Sequence, residues 1–313
     1  MPSSPTHQPS RHTRGLAIAT LIICGLLLSS AGIVVRRLEQ AAGFEITFWR
    51  SFTCLIFLLA ILIARERQHW TRELRRGGWP ILLSGMLWAV MFTCFSVALT
   101  LTTVANALIL IAIAPLVAAL MARLFLSERI APHTWLAITV AALGCIWMVS
   151  DGLLSEDSLP HSHWGMLIAA AVPLASATNL ILLKKNQGQI DFLPAILIGA
   201  AISSLLMLPL LFPVSATGRD IAWLAALGVF QLGLPCSLIV IAARYLAPQE
   251  VAMILLLEVV FGPVWVWLGV GERPADATLW GGCLVIGALI GNELGQTRSA
   301  TAGRHLRDKT SVG

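Results

Sequence analysis

The chain has 313 residues, of which 57% are hydrophobic and only 12% are charged, and its mean hydropathy is +0.83. Soluble domains carry about a quarter charged residues, so this composition excludes an ordinary soluble protein and indicates an integral membrane protein. The net charge of +5 does not indicate nucleic-acid binding, because Lys and Arg lie mainly in loops and chain ends without interleaved aromatic residues.

The apolar runs are continuous and about 20 residues long, which predicts helices and not the alternating strands of a barrel. The first run, after a polar start, resembles a signal peptide, but its length and the many runs that follow favour a retained membrane span. Ten windows of spanning length follow in chain order: 15–35, 45–64, 79–99, 104–126, 133–150, 163–183, 192–212, 221–243, 249–270 and 277–294.

Lys and Arg are distributed unequally between the two sides of this ten-span scheme. Of the 21 Lys and Arg residues, fifteen lie on the side of both termini, four lie on the opposite side, and Arg50 and Arg123 lie within spans. Cytoplasmic loops are enriched in these residues. Both termini are therefore predicted to be cytoplasmic.

Two short loops, SERIAPHT (127–134) and GERPADAT (271–278), fit the pattern Glu-Arg-x-Ala-x-x-Thr and lie 144 positions apart. The alternative is coincidence, because short Glu-Arg loops are common at membrane surfaces. Each loop, however, follows the fourth span of a set of five, and an odd-numbered repeat must return inverted. The pattern predicts an all-α integral membrane fold with ten transmembrane helices as two inverted five-helix repeats. The predicted organisation is a cytoplasmic tail (1–14), a first repeat (15–150), an outer linker loop (151–162), a second repeat (163–295) and a cytoplasmic tail (296–313).

Three motifs carry a resemblance to a known family. They are FWRS (48–51) early in span two, Pro115 thirteen residues before Glu128 in span four, and LLLEVVFGPVWVWLGVGERP (255–274) in span nine. With the two sets of five spans, they make the chain resemble EamA-type transporters of the drug/metabolite transporter superfamily.

The resemblance implies a secondary transporter, commonly an exporter of amino acids or similar small metabolites, with a cavity between the two halves. It places the chain in a bacterial-type plasma (inner) membrane, with a small-molecule substrate and the lipid bilayer as partners. Family members usually carry Pro directly after the Glu of span nine. Here Val259 occupies that position, and Pro263 follows four residues later.

Two charged residues within spans are candidates for substrate binding or coupling. Glu258 lies near the predicted midplane, where a carboxylate costs several kcal/mol unless it is paired, protonated or in a wet cavity. It is interpreted as a proton- or cation-exchanging group, the alternative being a permanently protonated structural carboxyl. Its equivalent in the first half is Ala114. Arg50 could attract a substrate carboxylate, pair with Glu258, or extend to the outer headgroups.

Uncharged polar and aromatic residues complete the candidate site. Asn179 and Gln231 can hydrogen-bond a ligand or a neighbouring helix. Trp49 and Trp265, with Trp88 and Trp267, can form an aromatic wall around an apolar or aromatic substrate, the alternative being anchoring at the membrane interface. Four prolines interrupt spans and are predicted hinges: Pro115, Pro173, Pro235 and Pro263.

Asn106 and Glu250 are equivalents under the 144-residue shift and lie near the start of the fourth span of each half. We expect them to cap helices, the alternative being gate contacts on opposite faces. The sequence GALIG (287–291) is a small-residue face suited to close packing within the chain or across a homodimer.

The remaining patterns argue against other classes of protein. There is no Gly-rich phosphate loop, the seven His residues lie outside or at the edges of spans, and the Cys residues are single. We therefore predict no cofactor, no metal and no enzyme activity. The alternatives are a membrane enzyme acting on a lipid-linked substrate, which would need a nucleophile, base or metal set at a cavity, and a non-transporting membrane scaffold.

Overall fold

The computed structural model describes residues 11–35, 37–41, 43–64, 67–101, 107, 110–128, 130–148, 162–187, 189–271 and 276–310. Residues 1–10 of the predicted N-terminal tail, Asn106, and residues 151–161 of the predicted linker lie outside these ranges. All regular structure within them is helical. The prediction of an all-α fold is therefore confirmed for the described part of the chain.

Thirteen α-helices occur in the described ranges. They are α1 (Arg11–Leu28), α2 (Ala31–Val35), α3 (Gly43–Ala64), α4 (Arg67–Leu101), α5 (Ala114–Phe125), α6 (Pro132–Met148), α7 (Ser162–Lys185), α8 (Leu193–Met207), α9 (Gly218–Leu227), α10 (Leu234–Ala242), α11 (Pro248–Leu255), α12 (Leu257–Val270) and α13 (Asp276–Thr310). A 3-10 turn (Leu208–Leu210) follows α8, and a π-helical turn (Gly228–Gly233) joins α9 to α10.

Eight helical segments of the described ranges are long and apolar enough to cross a membrane. They are His12–Val35, Gly43–Ala64, Gly77–Ala98, His163–Lys185, Leu193–Leu210, Gly218–Ala242, Pro248–Gly269 and Asp276–Gly295. Two shorter apolar helices, Leu110–Phe125 and Pro132–Met148, occupy the predicted fourth and fifth spans. Length and composition thus give eight candidate spans, two fewer than the ten that were predicted.

The outward faces of these helices carry many large apolar side chains. Leu16, Trp79, Leu124, Leu167 and Leu268 are each more than 60% exposed. Such a surface is unfavourable in water and suits the hydrocarbon of a bilayer. The chain is therefore a multi-pass membrane protein.

Two predicted spans, the fourth and the ninth, are broken at positions that are nearly equivalent under the 144-residue shift. Ile113 interrupts the helix before α5, and Leu256 separates α11 from α12. At the second break, the N–H of Leu256 donates to the Met253 carbonyl (3.1 Å), and the N–H of Val259 donates to the Leu256 carbonyl (3.0 Å). These three-residue bonds tighten the helix locally. Glu258 is therefore placed in the first turn of α12.

The four predicted hinge prolines occupy different local settings. Pro115 and Pro235 lie in the first turns of α5 and α10, where a missing N–H costs no helical hydrogen bond. Pro173 lies inside α7 and Pro263 inside α12. The break in span nine falls at Leu256 and not at Pro263.

Helices of the two halves pack against each other throughout the core. Packing joins α3 to α8, α5 to α11 and α6 to α13. It also joins α1 to α10, α11 and α12, and α7 to α4 and α5. At Gly144 of α6, an added Cβ would lie 2.9 Å from the carbonyl oxygen of Gly281 in α13, so the two backbones meet directly.

The GALIG segment does not take part in this close packing. An added Cβ at Gly287 or Gly291 would meet no atom of the described chain within 4 Å. Of the two uses expected for this small-residue face, close packing inside the monomer is therefore not observed at these glycines.

Candidate functional site

A cavity of about 180 Å³ lies within the helix bundle, between the two halves of the chain. The first half contributes α1, α3, α4 and the α5 region, and the second contributes α7, the π-helical turn, α10, α11 and α12. Its polar lining residues are Arg50, Ser176, Asn179, Gln231 and Glu258, and its aromatic lining residues are Trp88, Phe92 and Phe95. Four of the six predicted binding residues thus meet at one cavity.

Arg50 reaches the cavity from α3, which lies very close to the π-helical turn. A side chain at Gly228 would collide with the Thr53 hydroxyl and the Arg50 carbonyl. Glycine at 228 therefore permits this close approach of the two backbones. The Arg50 Nε atom is buried and has no hydrogen-bond partner in the described structure.

Glu258 reaches the cavity from the first turn of α12, directly after the break at Leu256. Glu258 and Arg50 thus line the same cavity from opposite halves of the chain. The ion pairs found among the described residues nevertheless include none that joins Glu258 to Arg50. The predicted equivalent of Glu258, Ala114, lines the same cavity, so the acid faces it from one half only.

Asn179 and Gln231 each make a hydrogen bond to another helix as well as lining the cavity. The Ser84 hydroxyl donates to Asn179 Oδ1 (2.6 Å), which links α4 to α7. Gln231 Nε2 donates to the Leu28 carbonyl (3.2 Å) at the end of α1. The Oε1 atom of Gln231 is buried without a partner in the described structure, so one acceptor remains available beside the cavity.

The aromatic side of the cavity is formed by α4, which carries one of the tryptophans predicted to form an aromatic wall. Trp88 lines the cavity, whereas Trp49 and Trp265 do not. Trp49 packs edge-on against Phe48, with ring centroids 5.2 Å apart. Trp265 Nε1 donates to the Ser29 hydroxyl (2.8 Å). Of the four hinge prolines, only Pro173 lines the cavity.

Two buried carboxylates outside the cavity were not identified from the sequence. Glu45 accepts from the Ser215 N–H (2.6 Å), the Ser215 hydroxyl (2.9 Å) and the Ala216 N–H (2.8 Å). Asp220 accepts from the N–H groups of Glu39 (2.9 Å), Gln40 (3.2 Å) and Thr217 (3.2 Å). We call these two buried carboxylates, Glu45 and Asp220, together with the backbone groups that they bind, the carboxylate clasp. Thr217 and Asp220 have the spacing of a helix capping box, which is a readable signal for Asp220.

A second polar group lies at the other end of α1. The Arg14 guanidinium lies 3.4 Å from the Glu250 carboxylate and 3.2 Å from that of Glu293. We call these three residues the Arg14 cluster. Glu250 also accepts from the Ala247 N–H (3.4 Å) at the start of α11, which confirms its predicted role in capping.

These features define a multi-pass helical membrane protein with a charged cavity between its two halves. The model of the EamA-like transporter family matches residues 15–150 and again residues 163–292. The chain therefore belongs to the EamA-like transporter family, and that membership indicates a transporter rather than an enzyme.

The chain is also similar to a curated relative and to a solved structure. The chain is 29% identical over 251 residues to the pseudopaline exporter CntI of Pseudomonas aeruginosa strain UCBPP-PA14. The aligned region covers 79% of this chain and 84% of the relative. The same values hold for that exporter in strain PAO1. A solved crystal structure is similar with a TM-score of 0.75 over 91% of this chain and 98% of its own, at 19% identity. The last likeness supports the fold alone.

Proposed function

We propose that the chain is a secondary transporter that exports an amino acid or a similar small metabolite by alternating access. The observation that carries this proposal is the cavity between the two halves, which is lined by Arg50 and Glu258. A similar relative is named as an exporter of a small metabolite, pseudopaline, which supports the direction and the class of cargo. A cavity with this lining favours transport over a scaffold.

The packing of the helices supports ten spans in two inverted halves. Two of the packed pairs, α3–α8 and α6–α13, join helices that are equivalent under the 144-residue shift, and the pair α5–α11 joins parts of the equivalent fourth and ninth spans. The contacts of α1 with α10 and with α11 and α12 correspond to those of α7 with α4 and α5. An approximate twofold relation between the halves would account for this pattern of packing. The same relation would account for the breaks at Ile113 and Leu256, which lie 143 positions apart.

The charges of the cavity favour a zwitterionic substrate. Arg50 and Glu258 face an otherwise mainly apolar cavity without a direct ion pair between them. Removing a charge from water is costly unless a partner compensates it. A carboxylate placed at Arg50 and an ammonium group placed at Glu258 compensate both charges with one molecule.

The size and the apolar lining restrict the substrate further. The cavity, at about 180 Å³, is smaller than the roughly 300–1,000 Å³ of pockets for drug-sized ligands. Trp88, Phe92 and Phe95 provide apolar surface on the α4 side. The site therefore suits a molecule of amino-acid size with an apolar or aromatic group.

Coupling to protons is assigned to Glu258. Protonation removes the negative charge that attracts the substrate ammonium group, so a proton that reaches Glu258 from outside promotes release of substrate there. The neutral carboxyl also tolerates the apolar surroundings better during the return step. This cycle exchanges an entering proton for a departing substrate across a bacterial-type inner membrane, with both termini in the cytoplasm.

The experiment is transport by the purified protein in liposomes. Amino acids and analogues are first screened for thermal stabilisation of the protein, and stabilising compounds are then tested for flux driven by a pH gradient. We expect Arg50→Gln to weaken substrate binding and Glu258→Gln to remove the dependence of flux on the pH gradient. Matched controls are Arg123→Gln on an exposed face of α5 and Glu39→Gln in an exposed loop, which should transport normally.

The outcomes separate the parts of the proposal. Absence of flux for every stabilising compound contradicts the transporter assignment. Flux with an unchanged pH dependence in Glu258→Gln contradicts the proton-carrier role alone. Normal binding in Arg50→Gln contradicts the zwitterion site.

A further inference from the structure

The two ends of α1 are attached to the rest of the protein in different ways. Arg14, near the start of α1, forms ion pairs with Glu250 at the start of α11 and with Glu293 in α13. Beyond the other end of α1, after the short helix α2, the chain is held by the carboxylate clasp through the backbone N–H groups of Glu39 and Gln40. The two attachments are separated by at least about 20 Å along the helix.

The Arg14 cluster lies at the end of the bundle where α1 begins, close in sequence to residues that line the cavity. Ala252 lines the cavity and lies two residues from Glu250 on α11. Leu21, Leu246 and Val251 are at most 2% exposed and belong to the main core. Along α1 and α11, buried apolar residues therefore lie between the Arg14 cluster and the residues that line the cavity.

The contacts of the Arg14 cluster are of a kind that breaks readily. All three side chains are partly exposed, at 25% for Arg14, 12% for Glu250 and 29% for Glu293. Both contacts join flexible side chains at distances of 3.2–3.4 Å. Such partly exposed pairs contribute little to stability and are weakened by salt.

The carboxylates of the clasp are buried, and their hydrogen bonds are therefore costly to break. Glu45 is 2% exposed and Asp220 is 0% exposed, and each accepts three hydrogen bonds from another part of the chain or from its own helix start. A buried donor or acceptor that loses its partner incurs a full desolvation penalty. The clasp therefore holds the α2–α3 connection and the α8–α9 connection together as one unit.

We propose that the Arg14 cluster is a reversible gate at one end of the cavity, and that α1 pivots about the clasp when this gate opens. The inference rests on the proposed transport function. In the present structure, the gate is closed, with the start of α1 held against α11 and α13. Opening breaks the two ion pairs, moves α1 away, and connects the cavity with the side on which the N-terminus lies.

The charged residues of the Arg14 cluster have uncharged equivalents in the other half of the chain. Under the 144-residue shift, the equivalents of Arg14, Glu250 and Glu293 are Ser158, Asn106 and Val149. None of these three side chains carries a charge, so they cannot form an ion pair. The ionic gate is therefore confined to the side of the N-terminus, and its opening is the step that responds to salt.

Cys236 is a natural probe of gate opening. It lines the cavity and is 3% exposed, so a thiol reagent reaches it only when the cavity opens. A charged, membrane-impermeant thiosulfonate is applied to membrane vesicles of each orientation, and modification of the Cys236 peptide is followed by mass spectrometry. This measurement needs neither a known substrate nor any flux.

We expect Arg14→Gln and Glu293→Gln each to increase the rate of Cys236 modification about three- to tenfold, only from the side that exposes the N-terminus. High salt on that side should increase the wild-type rate in the same direction. The double variant Arg14→Glu with Glu293→Arg restores an ion pair and should return the rate toward the wild-type value. The matched control is Arg219→Gln, which removes the exposed ion pair to Glu39 near the clasp and should leave the rate unchanged.

Two results would overturn the gate. One is an unchanged modification rate in both single variants, and the other is an equal increase from both sides, which indicates general loosening. Failure of the gate is distinguishable from failure of the proposed function, because the latter appears as absent flux in the wild-type protein whatever the modification rates are.

Discussion

The two ends of the bundle use charged residues differently. At the clasp, the carboxylates of Glu45 and Asp220 are buried and bind mainly backbone N–H groups, whose positions are fixed by the chain. In the Arg14 cluster, one partly exposed guanidinium is shared between two partly exposed carboxylates. Burial and the type of donor, more than the number of charges, distinguish the clasp, which we expect to persist, from the Arg14 cluster, which we propose to open and close.

The largest effect on stability is expected from Glu45→Ala at the clasp. The variant leaves the N–H groups of Ser215 and Ala216 without their acceptor, which should reduce the free energy of unfolding by about 2–4 kcal/mol. Thermal unfolding of the purified protein in detergent measures this change. Glu39→Ala is the matched control in an exposed position and should cost less than about 0.5 kcal/mol. Equal effects of the two variants would remove the distinction between the ends.

An intermediate effect is expected from Gly228→Ala between the clasp and the cavity. The added methyl group would collide with the Thr53 hydroxyl and the Arg50 carbonyl, so α3 must shift away from the π-helical turn. Overpacking of this kind costs about 1–3 kcal/mol. The shift should also impair transport, because it displaces Arg50. Gly218→Ala is a control, since a Cβ there meets no described atom within 4 Å. Normal transport by Gly228→Ala would show that Arg50 tolerates the displacement.

A smaller effect on stability is expected from Arg14→Gln. Loss of two partly exposed ion pairs should lower the free energy of unfolding by about 1 kcal/mol or less, and the loss should diminish as salt is increased. Thermal unfolding at low and high ionic strength measures this. A loss above about 3 kcal/mol, insensitive to salt, would mean that the cluster is as permanent as the clasp.

The smallest effect is expected from Arg219→Gln. The Arg219 and Glu39 side chains are 72% and 50% exposed, so water already screens their attraction. Neither stability nor transport should change measurably. A clear loss of stability would show that the surface near the clasp contributes to the attachment, which would enlarge the clasp beyond its two buried carboxylates.

The sequence was sufficient to predict the helical class of the fold and the most polar part of the cavity. Glu258, Arg50, Asn179 and Gln231 are polar residues within apolar runs, and such residues avoid lipid by facing the interior of a bundle. That rule does not depend on the tertiary structure. The structure places all four at one cavity.

The rotation of each helix about its axis could not be predicted in the same way. Trp49 is adjacent to Arg50 on α3, yet it does not line the cavity, because the side chains of consecutive helical residues leave the helix in different directions. Trp265 lies seven residues after Glu258 and is bonded to Ser29 of the first span. Which aromatic residues line the cavity is decided by the packing of α4 against its neighbours.

The clasp and the helix break depend on contacts that are remote in sequence. Glu45 binds a segment 170 positions away, and no local pattern specifies that pairing. The prolines indicated where helices could bend, but the break of span nine lies at Leu256, before Pro263. A proline marks a missing hydrogen bond, whereas the packing of α11 and α12 determines where the helix yields.

The most direct test of the account is protection of Cys236 by substrate. A compound that the wild-type protein transports is added at increasing concentration while the thiosulfonate modifies Cys236 in the cavity. We predict that the compound slows modification in the wild-type protein, with half-maximal protection at its binding constant, and that Arg50→Gln weakens this protection about tenfold or more. A transported compound that leaves the Cys236 rate unchanged at saturation would contradict the claim that this cavity is the transport site.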